Sequence, residues 1–248
     1  MNKRNKIILL VLVVAFTGIY LNRAYAHFYN HIGEVNLASH VFDYQDGLLI
    51  GPDKGIFVDY VALGDSLTYG VGASKIENTW PYLLANNLFL DANKSFKLYN
   101  LGIPGAKIQD VIDYQLDQTI ALSPDYITVF IGTNDTHDLV RPQVFASDLA
   151  YLTERLTKET TAKIVIINLP YLGSKNLVLF PYNYLLDWWT KQYNQEIENV
   201  AKHYNVELVD LYSYTKRELK TDQSFYSADL FHPSDVGYKL WADYFRLH

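Results

Sequence analysis

Val58-Asp59-Tyr60-Val61-Ala62-Leu63-Gly64-Asp65-Ser66-Leu67-Thr68 decides how this chain is read. A mostly apolar run ends in a glycine, and a serine follows two residues later. A strand that stops at a Gly-flanked turn lifts one hydroxyl off the edge of a sheet, where a substrate can meet it. Gly, Asp and Ser are also ordinary turn residues, so the pentapeptide alone has a bland reading as a capped turn. Its weight comes from what recurs downstream.

Strand-like runs occupy Ile56–Leu63, Phe96–Leu101, Tyr126–Ile131, Lys163–Leu169 and Val206–Leu211. Helix-like runs lie between them, near Thr79–Leu90, Ile108–Ala121, Gln143–Lys158 and Leu185–His203, and Asp235–Phe245 closes the chain. Strand-helix alternation of this kind predicts a parallel sheet with helices on both faces. Sites in such sheets form beyond the carboxyl ends of the strands. Three polar clusters fall there: Gly64-Asp65-Ser66, Asn100-Leu101-Gly102-Ile103-Pro104-Gly105 and Gly132-Thr133-Asn134-Asp135. A fourth, Asp229-Leu230-Phe231-His232-Pro233, precedes the last helix.

With these four blocks in this order, the chain from about Val58 onward resembles the SGNH (GDSL) hydrolase superfamily of esterases and lipases. The resemblance implies a three-layer α/β/α sandwich around a five-stranded parallel, flavodoxin-like sheet. It implies Ser66 as nucleophile, His232 as general base and then acid, and Asp229 as the carboxylate that orients the imidazole. It further implies an oxyanion hole from the N–H groups of Ser66 and Gly102 and the side-chain amide of Asn134. Asp65 and Asp135 read as structural. The chain lacks Gly-x-Ser-x-Gly, so it has no α/β-hydrolase elbow.

Bulk composition agrees with one globular domain: 248 residues, 49% apolar and 19% charged. With no cysteine, disulfides and thiolate metal sites are excluded. His27 and His31 are four apart, but no Glu follows His27, so ordinary polar residues are the adopted reading. No metal or cofactor is expected.

The N-terminus reads as a targeting segment. Lys3, Arg4 and Lys6 precede an uncharged, mostly apolar run, Ile7 to Leu21, and Ala24-Tyr25-Ala26 fits a cleavage site. Fifteen residues are short for a spanning helix. Residues 1–26 are therefore read as a signal peptide cleaved after Ala26, or alternatively as a membrane anchor. Residues 27–55 read as a stalk or extension, and 56–248 as the hydrolase domain. The body is expected outside the cytoplasm, secreted or anchored. Taking the four basic residues of 1–26 from a net charge of −6 leaves −10, which argues against nucleic acid or an anionic membrane as the main partner of the body.

Residues 171–190 are rich in aromatics, including Phe180, Tyr182, Tyr184, Trp188 and Trp189. The stretch from Leu172 to Tyr182 is a lid candidate, and the two tryptophans read mostly as core. The expected substrate is a lipid or lysophospholipid-type ester. Alternatives are an O-acetylated cell-surface glycan, acyl transfer, and a thioester. A non-catalytic binding protein of the same fold is the rival class, but none of the implied site residues is missing.

Overall fold

A computed structural model describes residues 2–33, 42, 44, 47–53, 55–92, 94–172, 177–218 and 223–246. Its centre is one six-stranded sheet: β1 (Leu48–Ile50), β2 (Phe57–Gly64), β3 (Ser95–Asn100), β4 (Tyr126–Phe130), β5 (Lys163–Ile167) and β6 (Glu207–Val209). The spatial order is β1-β3-β2-β4-β5-β6. β2 to β6 pair in parallel, and β1 pairs antiparallel with β3, Leu49 opposite Lys97. All five predicted strands are present. The sixth, β1, lies inside the segment read as an extension, and its three residues are too few for alternation to show in the sequence.

The described residues form ten α-helices: α1 (Lys3–Gly33), α2 (Ser66–Tyr69), α3 (Trp80–Ala92), α4 (Ile108–Val111), α5 (Asp117–Leu122), α6 (Thr133–His137), α7 (Pro142–Glu159), α8 (Tyr182–Tyr204), α9 (Leu211–Glu218) and α10 (Asp235–Arg246). A π-helical turn, Ile112–Leu116, joins α4 to α5. α9 begins where the sequence suggested that a strand would end, because β6 stops at Val209.

Side chains on a strand alternate between faces, and the two cores follow that rule. Val61 and Leu63 of β2 face a core built with α7 and α8, which includes Phe145, Leu149, Leu152, Tyr193 and Ile197. Tyr60 and Ala62 face the opposite core, with Trp80 and Leu84 of α3 and Tyr238, Trp241 and Phe245 of α10. Apolar residues on α7 recur at spacings of four and three, which gives one buried stripe. Burial on both faces explains why the inner strands read as continuous apolar runs. Trp189 packs partly against the first core, whereas Trp188 is 52% exposed. The reading of both as core therefore holds in part for Trp189 and not for Trp188, whose ring lies 5.5 Å from that of Trp189 on its solvent side.

Candidate active site

The carboxyl end of β2 is fixed by a close approach that only glycine permits. Gly64 has φ 156, and a Cβ there would sit 2.2 Å from the Phe130 carbonyl oxygen. The chain turns at once into α2, and Asp65 caps it: its Oδ1 accepts the Leu67 N–H at 2.9 Å. Ser66 is thus the first residue of the helix. N–H groups of a first turn have no intrahelical acceptor and point toward incoming negative charge.

Ser66 Oγ lies 2.9 Å from His232 Nε2. His232 Nδ1 lies 2.6 Å from Asp229 Oδ2. All three residues are buried. The other oxygen of Asp229 accepts the Ser227 hydroxyl at 2.6 Å and the N–H groups of Phe231 at 2.8 Å and His232 at 2.9 Å. Ser227 N–H in turn donates to the His232 carbonyl at 2.8 Å. Residues 227–232 form a self-bonded turn, which explains how a carboxylate and an imidazole three residues apart meet. Burial alone would raise the Asp229 pKa. The hydrogen bonds from His232, Ser227 and Phe231 outweigh it and hold the group below the usual value. The arrangement suits a neutral imidazole with its proton on Nδ1 and a lone pair facing the Ser66 hydroxyl.

The expected oxyanion donors are differently placed. Asn134 uses one N–H of its amide to donate to the Ala106 carbonyl at 2.9 Å, which leaves the second N–H. Gly102 N–H instead donates to Asn100 Oδ1 at 3.0 Å. A Cβ on Gly102 would come 2.6 Å from Tyr69 N and 2.9 Å from the Asp65 carbonyl oxygen. Its glycine is thus needed because the loop lies directly against the serine turn. Gly105, three residues on, has φ 84 and open space where a Cβ would stand. Among the described residues nothing accepts its N–H.

Two supports escaped the sequence reading. Gln115, buried in the π-helical turn, grips Gly64 from both sides: Gly64 N–H donates to its Oε1 at 2.9 Å, and its Nε2 donates to the Gly64 carbonyl at 2.8 Å. Such turns gather at functional sites. Asn100 Nδ2 donates to the Thr68 carbonyl at 2.7 Å and so ties the second block to α2. Asp135, expected as a local support, accepts the Ile108 N–H at the start of α4. Burial pushes Asp65 up to about 7, with the Leu67 N–H opposing and Asp135 adding to the rise. Burial likewise raises Asp135 to about 6.

His137 stands apart from this network. Its Nε2 is buried without a partner among the described residues, though the residue as a whole is only partly buried. Burial depresses its pKa to about 4, so the ring is neutral. The described residues include no group of three or more His, Asp or Glu that could hold a metal ion. The His31 side chain and residues 173–176 of the lid candidate lie outside the described residues. Leu172, Leu177 and Val178, on either side of that gap, are buried.

The model of the GDSL-like lipase/acylhydrolase family matches residues 62–240. Several solved structures share the fold. A lipase/acylhydrolase from Enterococcus faecalis superposes with a TM-score of 0.62 at 22% identity, over 76% of this chain and 93% of its own. A catalytic mutant of Axe2, an acetylxylan esterase from Geobacillus stearothermophilus, gives 0.61 at 20% identity, over 79% and 94%. A member of the lipolytic G-D-S-L family from Veillonella parvula gives 0.60 at 18% identity, over 75% and 94%. No curated protein matches the chain.

Proposed function

The chain belongs to the GDSL-like lipase/acylhydrolase family and is a carboxylic ester hydrolase; from that premise we propose a metal-independent acyl-serine mechanism run by Ser66, His232 and Asp229. The observation that carries it is the continuous line Ser66 Oγ, His232 Nε2, His232 Nδ1, Asp229 Oδ2, joined at 2.9 and 2.6 Å. A serine hydroxyl is a poor nucleophile until a base takes its proton. His232 takes that proton as Oγ bonds to the ester carbonyl carbon. Asp229 holds the imidazole tautomer and stabilises the imidazolium.

The carbonyl oxygen becomes an oxyanion facing the Ser66 N–H and the free N–H of Asn134. For Gly102 to join them, its N–H must leave Asn100. Gly105 is the other glycine of that loop with an N–H to offer. Collapse of the tetrahedral species breaks the bond to the alcohol oxygen, which receives the proton from His232. Water then gives a proton to His232, attacks the acyl-serine and releases the acid, and the proton returns to Ser66.

The substrate we propose is a lipid or lysophospholipid-type ester met outside the cytoplasm. Support comes from buried Leu177 and Val178, against which Leu230 and Phe231 of the catalytic turn pack, and from the apolar N-terminal helix. A second reading is deacetylation of a surface glycan. It is favoured by Phe180 and Tyr184, both more than 60% exposed with ring centroids 6.0 Å apart, since exposed aromatics stack on sugar rings.

The test is a p-nitrophenyl ester series from acetate to palmitate, with intact-mass detection of a fluorophosphonate adduct. The proposal expects one adduct, absent in Ser66→Ala, and turnover lost in Ser66→Ala and His232→Ala but unaffected by EDTA. Substantial turnover by folded Ser66→Ala would overturn it. The chain-length optimum separates the two substrate readings.

A further inference from the structure

α1 is one continuous helix of 31 residues. Residues 3–28 are long enough to cross a membrane, and their most apolar 18-residue window has a mean hydropathy of 2.1. Its outer turns touch nothing: Ile7, Val14 and Phe16 are 54%, 63% and 70% exposed. The inner end is different. Leu21 is partly buried, and Ala24 and Phe28 are buried. Spacings of three and four put these residues on one helix face.

That face lies against the catalytic turn. The Phe28 ring is centred 4.9 Å from His137 and 6.4 Å, edge-on, from Phe231. Phe231 is edge-on to His232 at 5.0 Å and sits between Asp229 and His232 in sequence. Phe28 forms one apolar cluster with Leu177 and Val178, and Leu230, Phe231, Tyr182 and Leu186 pack against it. Apolar contacts thus run unbroken from the exposed helix to the side of the imidazole.

Two quantities decide what this arrangement is for. With the last seven of these residues left to the enzyme, residues 3–21 span about 28 Å at 1.5 Å per residue, close to the ~30 Å hydrocarbon core. From Leu21, where the uncharged run ends, to Phe28 is about 10 Å along the axis. That is more than the depth of one headgroup layer, about 5–7.5 Å. Cleavage after Ala26 would remove Ala24 and leave Phe28 as the second residue of a frayed end. A helix used only as an address has no need to bury its last turns in the site.

We infer that α1 stays on the working enzyme and that Phe28 is a wall of its acyl-binding site, so that the ester it takes is a lipid held in the membrane to which α1 fastens it. This rests on the ester hydrolase mechanism proposed above. The acyl chain leaves the bilayer along Phe28, Leu177 and Val178 and presents its carbonyl to Ser66 without crossing water.

The test uses the full chain in phosphatidylcholine vesicles containing 1-palmitoyl-lysophosphatidylcholine, with p-nitrophenyl acetate as the soluble ester. Intact mass of the membrane-extracted protein is expected to include residues 1–26. Phe28→Ala is expected to lower the palmitoyl-to-acetyl ratio of kcat/KM about tenfold, the size of effect a lost apolar contact gives in a pocket. Phe28→Leu should restore most of that ratio, which a merely structural defect would not do. A mature chain beginning at residue 27, no hydrolysis of the vesicle ester by a wild type that cleaves p-nitrophenyl acetate, or an unchanged ratio in Phe28→Ala would each overturn the inference alone. No turnover of either ester by wild type would overturn the hydrolase mechanism and this inference with it.

Discussion

Asn100 Oδ1 accepts the N–H of Gly102 at 3.0 Å, while its Nδ2 donates to the Thr68 carbonyl. One side chain therefore holds both the second sequence block and the helix that begins with Ser66. It also occupies a donor on which the oxyanion was expected to rest.

Gly102→Ala and Gly105→Ala should separate packing from donation. Alanine at Gly102 forces its Cβ against the backbone of Tyr69 and Asp65. We expect a loss of about 1–3 kcal/mol in stability and a large fall in kcat. Alanine at Gly105 meets no neighbour and bears only the strain of a positive φ, about 1–2 kcal/mol. Urea unfolding and kcat for both variants check this.

Gln115→Leu strands the N–H of Gly64 in the buried turn, while the Gly64 carbonyl keeps the Ile103 N–H at 3.1 Å. An unsatisfied buried donor costs about 1–3 kcal/mol. Stability should fall, and kcat should fall more than KM rises, because Ser66 loses its support while the pocket stays. Thermal unfolding and steady-state kinetics read the two effects.

Asp65→Asn should change how stability depends on pH. Its folded pKa, about 7, lies above the ordinary carboxylate value. Between about pH 4 and pH 7 the folded state therefore keeps a proton that the unfolded state has released, and stability falls as pH rises through that window. Removing the group should flatten much of this slope. Asp135, raised to about 6, keeps its own share. Urea midpoints across pH 4 to 8 for both proteins measure the difference, and an unchanged slope would count against a protonated Asp65.

Asp229→Asn should leave the turn in place and cut kcat by about three to four orders of magnitude, because the amide favours the wrong imidazole tautomer. The native carboxyl has a depressed pKa, so its contribution to stability is complete above the ordinary carboxylate value and is lost as pH falls through the folded one. The variant should lack that step in an acid titration followed by circular dichroism.

How much of this was legible depends on how local each signal is. Ser66, Asn134, Asp229 and His232 stand in contiguous blocks next to strand ends or a helix start, so order along the chain revealed them. Gln115 could not be found that way. It lies 51 residues from Gly64 in sequence, in a helical run where glutamine is unremarkable. The Asn100–Gly102 bond depends on how the loop curls, which composition does not encode. β1 was hidden by its brevity. Phe28 was hidden by its position, because one aromatic in a stretch read as a stalk, two residues past the expected cleavage point, carries no periodic signal. Whether Trp188 or Trp189 is the buried one turns on a helix rotation of one residue.

Under the inference drawn from α1, the catalyst would work in two dimensions. The quantity that sets its rate is the mole fraction of ester in the sheet of lipid around it, not the molarity in the tube. Diluting the assay volume would leave turnover per enzyme unchanged, whereas diluting the bilayer with an inert lipid would slow it. Tethering at a fixed height raises the local encounter frequency in the way a linker does for two joined binding modules. Neighbouring lipids become the reservoir, and lateral diffusion replaces stirring.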